Sequence, residues 1–149
     1  MEIITEKNFE KARNLIKNTK NEIIFMSEDD ELNRKIIEKE KINILLINQK
    51  KRKDYSKQRN SGFNHVMAKI AKKKNVIIGI NLDEIIESCG KEKAKIISRI
   101  KQNIKLCNKN KIQMTFIGRQ KQKNDLNFLG LVLGMPTWMT KKLQIKSFN

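Results

Sequence analysis

One histidine, one proline, one tryptophan and two cysteines occur in the 149 residues, and each shortage closes a class of function. A single histidine excludes nucleases that use a histidine pair as general acid and base. It also leaves no His-rich ligand set for a two-metal phosphoesterase. Cys89 and Cys107 stand apart, with no second pair and no adjacent histidine. Free thiols in a reducing compartment are expected rather than zinc or a disulfide framework. The longest apolar block, FLGLVLGM, falls far short of the roughly 18 residues of a membrane span. The opening MEIITEKNFEKA has neither a basic start nor an apolar signal core. The expectation is therefore a soluble, unprocessed, cytoplasmic protein with no membrane partner. Its length suits a single domain over 1–149 with one core, ending in a frayed tail over 141–149.

Acidic residues are scarce in one part only. Residues 1–49 hold nine Lys and Arg against ten Asp and Glu, a net of −1, whereas residues 50–149 hold 24 against six, a net of +18. AT-rich codon usage would raise Glu along with Lys and does not explain a break at one position. A basic surface built from the last two thirds of the fold does, and its natural partner is nucleic acid. An anionic membrane fits less well, because the charge is not gathered on one amphipathic helix with aromatic anchors.

The apolar runs EIIT (2–5), EIIFM (22–26), INILLI (42–47), VIIGI (76–80) and IQMTFI (112–117) alternate with segments of helical period. They are apolar on both faces and lack hairpin turns, the pattern of parallel strands covered by helices. Ser27 is expected to cap the helix that follows EIIFM, with the acids Glu28 to Glu31 in its first turn, where the dipole favours them. In a helix over 61–74, Phe63, Val66, Met67, Ile70 and Ala71 face inward while His65, Lys69, Lys72 and Lys73 face out. In a helix over 91–109, Ile96, Ile97, Ile100, Ile104 and Cys107 face in and Lys95 and Arg99 line the outside. The segment LNFLGLVLG (126–134), capped by Asn124 or Asp125, is apolar enough to be largely buried.

The basic loop over 50–59 joins a buried strand to a helix, so both its ends are fixed. Loops after parallel strands gather at one rim, where binding sites form. GRQKQK (118–123) follows another such strand and should meet it there. Ser61 and Gly62 are expected to open a helix whose free N–H groups receive phosphate. The candidate RNA-binding residues are Lys50, Lys51, Arg52, Lys53, Lys57 and Arg59 of the loop; Ser61, Asn64, His65 and Lys69 of the helix; Arg99 of the next helix; and Arg119 and Lys121 of GRQKQK. Arg52, Lys53 and Arg59 are read as phosphate contacts, with Asp54 orienting the cations. Arg99 offers a bidentate fork or a stacking plane that Lys lacks. His65 is open between a solvated residue, a satisfied partly buried one and an RNA contact. The run Lys72 to Lys74 is equally open between a dipole complement and phosphate contact. Tyr55 is the only loop aromatic read as exposed, and Trp138 is expected to pack near the C-terminus. Phosphate and shape recognition should therefore outweigh base stacking.

The block RKD…RNSGFNHVMAKIAKKKNVIIGINL, followed by KAKIISRIKQNIKLC, a strand, a short loop and DLNFLGLVLGM, resembles the archaeal protein component 3 of ribonuclease P. The eukaryotic relative of that family is the thirty-kilodalton subunit of the same particle. The likeness is strongest from Arg52 to Gly90 and runs with gaps to about Met135. It implies an α/β barrel of eight strands, here abbreviated, since a full barrel rarely fits below about 200 residues. The expected fold is an incomplete (β/α) TIM-like barrel with about five mostly parallel strands and helices outside. The resemblance also implies an RNA-binding protein subunit of the endoribonuclease that removes the 5′ leader of precursor tRNA. The RNA would be the catalyst and would carry the Mg2+, so that this chain has no catalytic residue, metal or cofactor of its own. Implied partners are the ribonuclease P RNA, component 2 in a two-plus-two heterotetramer, the other protein components and, indirectly, precursor tRNA. The alternatives are a stand-alone metal-dependent phosphoesterase or nuclease of barrel type, and a ribosome-associated RNA-binding protein.

Overall fold

Apolar and helix-period segments alternate along the chain, and the computed structural model, which describes residues 1–118, 123–143 and 145–147, turns that alternation into a series of βα units. In order these are β1 (Glu2–Thr5), α1 (Phe9–Asn18), β2 (Ile23–Met26), α2 (Asp30–Lys39), β3 (Ile44–Leu46), α3 (His65–Lys74), β4 (Ile77–Asn81), α4 (Leu82–Glu87), α5 (Gly90–Lys109), β5 (Met114–Gly118), α6 (Lys123–Leu133), α7 (Thr137–Thr140) and β6 (Ile145–Ser147). The strands form one six-stranded sheet in the order β1-β2-β3-β4-β5-β6, with every neighbouring pair parallel. Because spatial order repeats chain order, right-handed crossovers place the helices on one side, as around a barrel. The result is an open α/β sheet compatible with an incomplete TIM-like barrel.

Side chains alternate across each strand, so neighbouring residues belong to different cores. Phe25, Leu45, Ile78 and Phe116 join helix residues such as Ile36, Ala68 and Ile104 in the large outer core. The intervening Ile24, Ile44, Leu46 and Ile117 form a second cluster made of strand residues alone, each 0% exposed. Burial without a covering helix follows from curvature: the sheet bends around its own inner face. Gly79 faces this inner cluster closely: a Cβ there would stand 3.1 Å from both Ile44 Cγ2 and Leu46 Cδ1.

Side-chain caps fix where the helices start. Asn8, Asp29, Asn64 and Asn81 each accept hydrogen bonds from two first-turn amides of α1, α2, α3 and α4. The cap of α2 is therefore Asp29 and not Ser27, whose hydroxyl instead accepts from the Asp29 amide. Trp138 packs beside the end of α5, donating from Nε1 to Asn108 Oδ1 at 3.2 Å. Two expectations are corrected. The tail expected to fray contains β6, paired with β5 from Phe116 to Gly118. Helix α6 is not largely buried: Phe128, Leu131 and Val132 are 67%, 45% and 76% exposed, so its outer face is apolar and open.

Ile104, 1% exposed, and Val132 test this division of the core. Ile104→Ala should lower stability by about 2–5 kcal/mol through the cavity it leaves, and Val132→Ala should stay within about 0.5 kcal/mol. Urea unfolding reads both as midpoint shifts at constant slope.

Candidate nucleic-acid interface

Residues 47–64 link β3 to α3 without regular structure, yet the segment is held at many points. The main anchor is Arg99 of α5, whose side chain is 1% exposed. Its Nε donates to Asp54 Oδ1 at 2.9 Å, Nη1 to the Gln49 carbonyl at 3.0 Å and Nη2 to the Arg52 carbonyl at 2.9 Å. The carboxylate of Glu84 accepts from the amides of Gln49 (2.7 Å) and Lys50 (3.0 Å). At the far end the Ser61 carbonyl accepts from Gln49 Nε2 and Asn103 Nδ2. These bonds satisfy backbone groups that an irregular buried segment would otherwise leave unpaired.

Arg52 is held as firmly. Its two terminal nitrogens meet the two oxygens of Asp30, each at 2.8 Å, and its Nε donates to the Asn48 carbonyl at 2.6 Å. The guanidinium lies against Gly62, where φ is +71° and a Cβ would come within 2.3 Å of Arg52 Nη2. Glycine is favoured there on both grounds.

Beyond Arg52, the cations of the loop stand in solvent. Lys50, Lys51, Lys53, Lys57 and Arg59 are exposed along the loop. Beside them a groove of about 640 Å³ runs between the start of α3 and the flank of α5. Its cationic wall is Arg59, Lys101, Lys105 and Lys109, and its floor includes Phe63 and Leu106. The three lysines recur at every fourth residue, which sets them about 6 Å apart along the helix axis. That step is comparable with the separation of adjacent phosphates on one RNA strand. None of the ion pairs Arg13–Glu40, Arg52–Asp30 and Arg99–Asp54 involves these lysines. A second cavity of about 510 Å³ lies just beyond the ends of β2, β3 and β4, where Lys50, Lys51 and Lys53 face Glu28, Asp30 and Glu84.

The predicted site residues thus separate into groups. Arg59 and His65 share the groove, with Asn64. Lys50, Lys51, Arg52 and Lys53 share the second cavity. Lys57 and Lys69 are exposed elsewhere on the loop and on α3. Arg119 and Lys121 lie outside the described residues. Three expectations are corrected. Arg99 does not line the outside of its helix, because its charge is buried and its donors are taken by the loop. Arg52 is engaged by Asp30 instead of standing open to phosphate. Ser61 and Gly62 do not open a helix: α3 begins at His65, its first amides are capped by Asn64, and Ser61 is 2% exposed. The stripe Lys101, Lys105, Lys109 was missed, though its four-residue spacing was visible in the sequence.

No protein-family model matches the chain, and no curated protein does. The fold is similar to one found in ribonuclease P. One match is to a chain of the cryo-EM structure of archaeal ribonuclease P with mature tRNA, with a TM-score of 0.76 and 22% identity. It covers 93% of this chain and 62% of that one, so this chain spans less than two thirds of its length. At that identity the likeness establishes the fold.

The network has an electrostatic signature. The hydrogen bond from Arg99, with a second from the Asn60 amide, holds the Asp54 carboxyl below its ordinary 3.8. Burial pushes Glu84 above its ordinary 4.5, against the two amides that donate to it. A carboxyl depressed on folding stabilises at every pH above its unfolded value and loses that contribution as pH falls through its folded value. The amide of Asn60, which donates to Asp54 at 2.9 Å, should therefore keep its hydrogen-exchange protection from about pH 8 to 5 and lose it only below about pH 4. In Arg99→Lys, which keeps the charge but lacks the fork, protection should be lost throughout that range.

Proposed function

We propose that this chain is an RNA-binding protein subunit of a ribonuclease P, of the component 3 type, acting in removal of the 5′ leader of precursor tRNA. The observation that carries the reading is the basic wall of Arg59, Lys101, Lys105 and Lys109 on a fold similar to a chain of that particle. Two features support it. The exposed cations stand on packed helices and on a loop stitched to them, so their spacing is set before RNA arrives. The open cations are also mostly lysines, compact charges suited to phosphate rather than to bidentate base readout.

On this reading catalysis belongs to the RNA and its Mg2+. Among the described residues no group of three or more His, Cys, Asp and Glu side chains is placed to hold a metal ion. Partners on this reading are the ribonuclease P RNA, component 2 in a two-plus-two assembly and the remaining protein components. The exposed apolar face of α6 is the kind of patch a protein partner covers. Among the described residues no helix is long and apolar enough to cross a membrane.

The test is RNA binding across a salt series. Replacing Lys101, Lys105 and Lys109 by Ala should flatten the log–log slope by about 0.7–0.9 for each phosphate no longer neutralised, and ribonuclease P RNA should bind more tightly than an unrelated structured RNA of equal length. An unchanged slope would remove the groove from the interface. Equal binding of both RNAs would favour a generic RNA-binding protein.

A further inference from the structure

A surface that only counts phosphates needs cations and nothing more. The groove between α3 and α5 has other chemistry. Its floor is apolar, formed in part by Phe63 and the half-buried Leu106, and the exposed imidazole of His65 stands at its lip. Two side-chain amides line it in fixed orientations. The Asn64 oxygen caps α3 by accepting from the Val66 and Met67 amides, each at 3.0 Å, so the NH2 end is the one left to donate. The NH2 of Gln102 is engaged by the Arg59 carbonyl and Ser61 Oγ, which leaves its oxygen as an acceptor. A donor, an acceptor, an apolar floor and a ring at the lip are what the edge and face of a nucleobase require. The volume of about 640 Å³ lies in the range of small-ligand pockets, and it is too small to admit a double helix.

The geometry points to a nucleotide-sized pocket: the groove receives one unpaired nucleotide extruded from an RNA bulge or loop. The base lies over Phe63 and Leu106 beside His65, its edge meets Asn64 and Gln102, and the flanking phosphates rest on Arg59, Lys101 and Lys105. This deepens the RNA-binding reading and rests on it. It names the class of RNA element that the basic wall selects, a break in a duplex rather than the duplex itself.

The test uses the full chain and three RNAs of one sequence context: a perfect duplex, the same duplex with a one-nucleotide bulge of 2-aminopurine, and the bulged strand alone. The bulged duplex is expected to bind about tenfold tighter than the perfect one, within what one stacked base contributes, with a change in 2-aminopurine fluorescence on binding. Leu106→Trp, which fills the floor, should abolish both the preference and the fluorescence change. His65→Ala, at an exposed position, should weaken them and serves as the readout if the first variant fails to fold. Equal affinity for bulged and perfect duplex with no fluorescence change would overturn the pocket while leaving RNA binding in place. Absence of binding to all three would overturn both. Adenosine monophosphate should compete only weakly, lacking the flanking phosphates. Saturation by it at micromolar concentration would reassign the groove to a free nucleotide and overturn the proposal.

Discussion

The basic face of this protein keeps its shape because one guanidinium is buried where water cannot reach it. A buried charge is tolerated only when paired and hydrogen-bonded on all sides. Arg99 finds its partners in a single loop: the carboxylate of Asp54 and the carbonyls of Gln49 and Arg52. The loop cannot lift from α5 without leaving that charge unpaired, so it behaves as part of the helix layer. Arg59, whose carbonyl is tied to Gln102 of the same helix, is thereby held at the head of the lysine stripe.

Two arginines are set apart from the other cations around the loop. Arg52 and Arg99 have planar forks that satisfy several acceptors at once, and both are turned inward against Asp30 and Asp54. The lysines, compact and strongly hydrated, stay in solvent. Two of the few acids in this region are thus consumed by structural arginines and do not cancel the lysine field.

The parallel strands were legible because each is apolar on both faces, and the inner cluster of Ile24, Ile44, Leu46 and Ile117 shows why both faces must be. The role of Arg99 was not legible. It falls three residues after Ile96 and four before Asn103, within the buried side of α5, yet residue type argued for solvent and its partner Asp54 is distant in sequence. Helix α6 misled in the opposite way, since apolar residues on all sides suggest burial and the fold covers only one of them. Strand β6 was invisible for want of an apolar run: Ile145, Lys146 and Ser147 read as a tail, and only pairing with β5 makes them a strand.

Strand order has a last consequence. Because the sheet runs β1 to β6 in chain order, position along the sequence becomes position across the molecule. The nearly neutral first 49 residues therefore form one flank, and residues 50–118 and 124–143, with 20 Lys and Arg against six Asp and Glu, form the other. Such a body has a large electric dipole moment, and in the field of a polyanion it experiences a torque as well as an attraction. It turns its cationic flank forward during the diffusive encounter, before the two surfaces touch, so orientation on approach is a property of the topology itself.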